Sequence, residues 1–492
     1  MKNRLLILIP IISLFISCSD DITGLNENTK DATKVPAEFL FTNAEKSMMD
    51  QVTSTSVNFN VFRLFAQQWT EVQYPQESQY DLTGRNIPAA HWTEYYRDVL
   101  RDFKESKDQL VASKATFVGT PAQAIELDNK IAVIDILTAY SYGILVDTFG
   151  DIPYTEALDI LGHPQPVYDD AKTIYVDLIA KLTAASHALN QSNGSFGSAD
   201  LIFHGNTAKW AKFANTLRLR MAINMADVDA SYASTQALAA IADGVIMSNA
   251  DSAYLVYTPN QPNTNPLYVD LVASGRDDFL PADTFVNKMN TLVDPRRAKY
   301  FTEFPEGSGN YEGGVYGELN TYADFSHITP TVKVEDYPGV LLTYSEVEFL
   351  LAEAAARGIA VGGTPETHYN AAITASMQDW GVAAADITTY LARTDVAYAT
   401  ATGTWKQKIG EQSWIALYNR GFEAWTSYRR LDFPVLHVPS VTYEDADGPI
   451  TVVPRRYSYP GNEETLNATN LNAAVAKLGS NGTSKRIFWD KF

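Results

Sequence analysis

Two helices are written back to back between Thr343 and Gly381, and this stretch limits the fold more than any other. Thr343 stands three residues before Glu346, the spacing of a capping box. Tyr344, Val347, Leu351, Ala354 and Ala355 then recur at helical spacing until Gly358, with Arg357 placed on the carbonyl end. A second helix starts at once: Thr364 caps it, Pro365 fills its first turn, Tyr369, Ile373, Met377 and Trp380 share a face, and Gly381 stops it. Two such helices joined by a Gly-rich turn form an antiparallel pair of tetratricopeptide type. The same period runs through 129–147, where Ile131, Ile134, Thr138 and Tyr142 form one face. It runs again through 206–225, where Asn206 or Thr207 caps a stripe of Trp210, Phe213, Ala214, Leu217, Met221 and Met225. Further pairs are expected at 123–190 and 207–243, without a strict repeat length. The fold class is therefore mainly α, built of tetratricopeptide-like helix pairs. Between the pairs lie 67–91, 250–282, 302–338 and 433–465, long stretches rich in Pro, Gly, Asn and Tyr. Loops of this length are uncommon in a compact domain unless they have a function.

The sole cysteine, Cys18, ends the apolar run Leu5 to Ser17, which Lys2 and Arg4 precede. A basic start, an apolar run too short to span a bilayer and a small residue at its end make a secretory signal. Phe15-Ile16-Ser17-Cys18 resembles the lipobox of bacterial lipoproteins, with Phe15 in place of the usual leucine and Leu14 one position earlier. The resemblance implies that Cys18 becomes the lipidated first residue; ordinary cleavage near Ser17 is the alternative. The expected organisation is a signal peptide at 1–17, a polar, acidic, lipidated tether at 18–35, and a single domain at 36–492.

Once 1–17 are removed no cysteine remains, so neither disulfides nor thiolate metal sites can support the fold. The core must suffice, and 46% hydrophobic residues with 12% aromatics are ample for one. The formal charge of -20 becomes -22 without Lys2 and Arg4. Such a field repels phosphate backbones and excludes nucleic acid as a partner. The 27 Tyr and 8 Trp exceed what a core needs, and because Tyr carries a polar tip they point to a wet binding surface.

Seven segments in order resemble the SusD/RagB family of nutrient-binding outer-membrane lipoproteins of Bacteroidetes, in its second SusD-like subgroup. They are Val146 to Leu158, Trp210 to Ala222, Ser248 to Tyr257, Asp294 to Phe301, Val340 to Gly358, Glu411 to Leu436 and Val453 to Asn467. The resemblance covers about residue 25 to the C-terminus. It implies a helical body with irregular ligand-binding loops on one side, glycan or peptide ligands, no cofactor, and a partner. That partner is a SusC-like TonB-dependent β-barrel transporter, over which the protein acts as a lid. Ser19-Asp20-Asp21 is similar to the acidic surface-export signal of such lipoproteins, which implies an outer-membrane protein facing the cell exterior. Read as residues, the motifs are mostly architectural. Gly150 and Pro153 turn the chain, Asp147 or Asp151 can bond loop amides, and Arg429, Arg430, Arg455 and Arg456 are expected to pair with carboxylates while stacking on rings.

Carbohydrate recognition needs flat aromatic faces ringed by side chains that donate and accept hydrogen bonds. The first candidate is 66–92, with Trp69, Gln73, Tyr74, Tyr80 and Arg85; Trp69, Tyr74 and Tyr80 could equally be core anchors. Trp92 shares helical spacing with Tyr95, Tyr96 and Val99 and reads as core. The second candidate is the Pro-broken loop bearing Asn263, Asn265, Tyr268, Arg276 and Phe279, which could equally be an Asn-rich turn filling its own hydrogen bonds. A third stretch carries Tyr311, Tyr316 and Tyr322 and could touch ligand or transporter. No GxSxG, HExxH, Walker or dinucleotide motif occurs, and the seven His residues have no ligand spacing. Pro454 at the twelfth position of the stretch from Tyr443 fails a calcium loop, leaving a solvated acidic turn. The expected function is capture of an oligomeric nutrient and its delivery to the transporter unchanged. A lipid-anchored hydrolase and a protein-binding scaffold are the alternatives.

Overall fold

In the computed structural model, residues 35–492 are described; Cys18, the signal segment and nearly all of the tether lie outside them. By its contacts the chain divides into Met1–Pro36 and Ala37–Phe492, and every described helix and strand lies in the second unit. About half of the molecule is helix and strands are few, as expected of the mainly α class.

Helix α1 (Ala37–Thr53) packs on α2 (Arg101–Ala115), which continues a helical run that opens at Ile87. Helix α3 (Pro121–Phe149) follows, its first turn closed by a reciprocal capping box between Thr120 and Gln123. α3 is long and apolar enough to cross a membrane, yet 83% of its most apolar window is buried inside the protein. The expected single face is too narrow, since Val133, Ile136 and Leu137 are as buried as Ile134, while Ile131 and Thr138 are only half-buried. The reason is packing. α3 touches α2, α4 (Ala171–Ala188) and α5 (Thr207–Asn224), so no side of its second half is left to water.

Consecutive helices pair as the periodicity expects: α3 on α4, α5 on α6 (Ala230–Asp243), and α7 (Tyr344–Ala356) on α8 (Pro365–Asp379). Asn206, Thr343 and Thr364 are the observed N-caps, each accepting the backbone N–H three residues on. Gly358 and Gly381 follow α7 and α8 in the left-handed region, at φ 85° and 65°. The capping box at Thr343 is half made. Glu346 is buried, and its carboxylate turns from the helix start to Arg220 (2.6 Å) and Arg420 (2.7 Å). Helix α9 (Trp405–Ala416) packs against both members of this pair, α10 (Gly421–Leu431) packs against α9 and the helical turn Phe62–Phe65, and α11 (Ala468–Leu478) lies near the C-terminus.

Of the four arginines expected to pair with carboxylates while stacking on rings, two make the pair, Arg430 with Glu353 at 3.0 Å and Arg455 with Asp432 at 3.4 Å, and Arg429, Arg455 and Arg456 lie over rings. Arg429 and Arg456 depart from the first half of that expectation, because among the described residues no carboxylate pairs with their buried guanidinium groups and main-chain carbonyls do. Arg429 donates to the carbonyls of Asp147 and Arg455 and stacks 3.4 Å from the Trp425 ring, and Arg456 donates to that of Phe149. Asp151 accepts the Ala171 amide as a loop anchor, whereas Asp147 serves side chains, those of Tyr175 and Trp489.

The strands are short antiparallel ladders. β1 (Trp69–Glu71) pairs with β5 (Phe279–Pro281), β2 (Ile152–Pro153) with β3 (Tyr168–Asp169), β4 (Ala253–Leu255) with β6 (Gly339–Leu342), and β7 (Glu444–Asp445) with β8 (Gly448–Pro449). The last is the acidic turn seen in the sequence. Its Asp445 accepts from Thr483 and its Asp447 from Ser480 and Ser484.

Candidate ligand-binding site

The β1–β5 ladder builds the site. Trp69 faces Pro281 and Glu71 faces Phe279, and the Val72 amide extends the pairing to the Asp278 carbonyl at 3.0 Å. Because the strands are antiparallel, the segment leaving Glu71 and the segment entering Phe279 emerge at the same end. The first two candidate loops therefore meet. The third joins them: Asn320 donates to the Glu71 carbonyl, its amide to the Val72 carbonyl, and Gln79 donates to the Gly317 carbonyl.

Where they meet is a recess of about 310 Å³ lined by Val57, Glu71, Tyr74, Arg85, Arg276, Asp278 and Phe279. Tyr74 is 52% exposed and offers its ring to solvent. The Arg276 guanidinium lies 5.8 Å from that ring and is held by a two-point pair with Asp278 at 2.6 and 2.9 Å. The floor is polar. Glu71 accepts the amide and hydroxyl of Ser78, at 2.7 and 2.9 Å, and Glu77 pairs with Arg85 at 2.5 Å. Burial, reinforced by the hydrogen-bonded Glu77 carboxylate beside it, holds Glu71 well above the usual carboxylate range. At the edge, Tyr322 stacks 3.9 Å from His327 and faces Asp277.

The structure thus brings Tyr74, Arg85 and Arg276 together, with Gln73 exposed beside Tyr74. Tyr268 is half-buried on a helical turn, its hydroxyl bonded to Glu335, and Asn263 is exposed in the turn closed by the Thr258 amide. Three candidates are corrected. Trp69 has no exposed surface: it packs on Phe279, lies under the Arg63 guanidinium at 5.1 Å and donates to the Tyr418 hydroxyl. Tyr80 is 1% exposed, edge-on to Phe65. Asn265 is fully buried, accepting the Leu267 amide and donating to the Tyr337 carbonyl, so its side chain is turned inward, out of a ligand's reach. In the third stretch Tyr311 and Tyr316 are also buried, Tyr316 donating to the Leu64 carbonyl. Glu71, Asp278 and Val57 escaped the sequence reading. The pair Arg276 and Asp278, two residues apart on an exposed loop, was the available signal.

Residues 28–460 match the family model described as SusD-like, starch-binding and associating with the outer membrane. The chain belongs to this SusD-like family. Among solved structures, a chitin-binding protein matches at 25% identity and TM-score 0.79, covering 93% of this chain and 100% of the other. A chitin-binding SusD homolog from Flavobacterium johnsoniae matches at 25% identity and TM-score 0.76, covering 92% and 98%. A SusD homolog from Bacteroides uniformis, at 24% identity and TM-score 0.76 over 92% and 99%, shares the fold. No curated protein matches the chain. The SusD-like fold and the family expected from the seven segments are both found.

Proposed function

We propose that this SusD-like chain captures a glycan on the Tyr74 and Arg276 face and passes it, chemically unchanged, to a SusC-like TonB-dependent transporter for which it serves as lid. Cys18 would tether it to the outer membrane with the face toward the cell exterior. The observation that carries this reading is the exposed Tyr74 ring set beside the Arg276–Asp278 pair in a shallow recess assembled from loops. A ring face accepts the C–H side of a pyranose, and the flanking guanidinium and carboxylate donate and accept around its hydroxyls. The family description as starch-binding and the two chitin-binding structures support a glycan over a peptide.

A hydrolase is disfavoured at this face. Glycoside cleavage uses two carboxyls about 5 to 10 Å apart that flank the scissile bond, whereas the carboxylates of this recess are already engaged, Glu71 by Ser78, Glu77 by Arg85 and Asp278 by Arg276. The test is affinity electrophoresis and calorimetry of the full mature chain with starch and chitin oligosaccharides. Tyr74→Ala is expected to weaken binding about tenfold, a loss of ~1.4 kcal/mol, by removing the aromatic face, with circular dichroism unchanged. Undiminished binding in Tyr74→Ala, or release of shorter sugars at enzymatic rates, defeats the reading.

A further inference from the structure

A second and larger recess, of about 550 Å³, lies apart from the open face, where the ends of four helices converge. Thr343 and Ser345 enter it from the start of α7, Asp379 and Trp380 from the end of α8, Ala416 from the end of α9, and Arg420 and Glu423 from the start of α10. Its size falls in the range of about 300–1,000 Å³ usual for small-molecule sites.

Rings form its walls. Tyr254, Tyr337, Trp380 and Tyr418 all line it. Trp380 is half-buried and braced edge-on against Tyr300 at 4.6 Å, which fixes its orientation while leaving part of the ring free. Asn265 holds the Tyr337 main chain in place through its bond to the carbonyl, so the buried candidate of the second loop acts on this recess as a positioning residue.

Its polar groups are incompletely used. Arg420 and Glu423 are 7% and 8% exposed, yet Arg420 Nε and Glu423 Oε1 have no hydrogen-bond partner, although Glu423 Oε1 sits 3.4 Å from another Arg420 nitrogen. A buried donor and a buried acceptor left open side by side are costly unless something fills them. Among the described residues Asp379 receives the Tyr254 hydroxyl alone, at 3.1 Å to each oxygen, and has lone pairs to spare. The charges balance locally: Arg63 and Arg420 line the recess with Asp379 and Glu423, and Arg220 and Glu346 pair directly behind. A strongly charged ligand therefore gains nothing here. A group that donates and accepts at adjacent atoms, on a scaffold with a flat apolar face, fits each of these features.

We propose that this recess is a second binding site that takes one or two rings of a neutral saccharide, with hydroxyls bridging Arg420, Glu423 and Asp379 and a ring face on Trp380. It is separate from the open face. Arg63 lines the recess and lies over Trp69, which packs on Phe279 of the other site, so a wall of three side chains divides them. The inference extends the glycan reading but does not depend on Tyr74.

The experiment is titration calorimetry of the mature chain with glucose, maltose, N-acetylglucosamine and diacetylchitobiose, with tryptophan fluorescence as a second readout. Wild type is expected to bind at least one of the four saturably, with a change in emission. Asp379→Asn, an exposed position at a helix end, is expected to weaken that binding about tenfold by removing a charge-assisted bond. Val256→Trp, at a rim position 66% exposed, should abolish it by filling the mouth. Equal melting temperatures of both variants and wild type establish that they fold. The recess reading is overturned if none of the four sugars binds, or if binding survives both substitutions. Polymer binding that depends on Tyr74 with no sugar binding at the recess defeats this inference alone. Sugar binding lost in Asp379→Asn, with polymer binding indifferent to Tyr74→Ala, defeats only the open-face reading.

Discussion

Glu71 is the residue whose chemistry departs furthest from its sequence context at the open face. Nothing about a Glu after Trp69-Thr70 announces a raised carboxyl, because the shift depends on burial produced by the returning loop and on the Glu77 carboxylate beside it. Its carboxyl is raised from an ordinary value near 4.5. An acid whose folded value is raised contributes stability that is whole below the unfolded value and is lost as pH climbs through the folded one. Thermal stability should therefore decline as pH rises from about 4.5 toward 8. Glu45, buried beside Asp200 and raised in the same direction, adds to the decline. The contribution of Glu71 is isolated by Glu71→Gln, which keeps the neutral form at every pH. Differential scanning fluorimetry should find the variant melting above wild type at pH 8 and close to it at pH 4.5. A pH-independent difference between the two would mean that the Glu71 carboxyl is not raised. The corrected arginines follow the same logic: type and neighbours in sequence do not reveal whether a carboxylate or a carbonyl will be the nearest acceptor.

At the scale of elements, the start of α7 separates what was legible from what was not. The caps at Asn206, Thr343 and Thr364, the terminal glycines and the pairing of neighbouring helices are written within a few residues, so the sequence reveals them. The second half of the Thr343 capping box is not, because Glu346 has two buried charged guanidiniums within reach, against the single neutral amide that a capping box would offer it. This predicts an order of effects. Thr343→Ala removes a cap and should cost about 0.5–2 kcal/mol. Glu346→Ala leaves Arg220 and Arg420 buried with Glu423, at 4.0 and 3.4 Å, as their sole close carboxylate among the described residues, and should cost about 3–5 kcal/mol. Melting temperatures measured side by side should fall further for Glu346→Ala; a reversed order would mean that the local cap outweighs the buried ion network.

Across the whole molecule, the open face exists because two loops some two hundred residues apart are joined by the three-residue ladder of β1 and β5. That pairing has no local signature, so the sequence offered two separate candidate loops where the fold has one recess. It also left open which rings face water. Alternation along a strand this short cannot sort Trp69 from Tyr74, and the structure sends the first into the core beneath Arg63 and the second into solvent. The consequence is a division of labour that two substitutions can separate. Trp69→Ala empties a core site of a large aromatic and should cost about 3–5 kcal/mol, seen as a lower melting temperature. Because Trp69 supports Phe279 and the ladder, glycan affinity should fall together with the loss of fold. Tyr74→Ala should leave the melting temperature within error of wild type while binding falls. Should Trp69→Ala weaken binding with no loss of thermal stability, Trp69 would be reaching ligand itself, and the wall between the two recesses would have to open in solution.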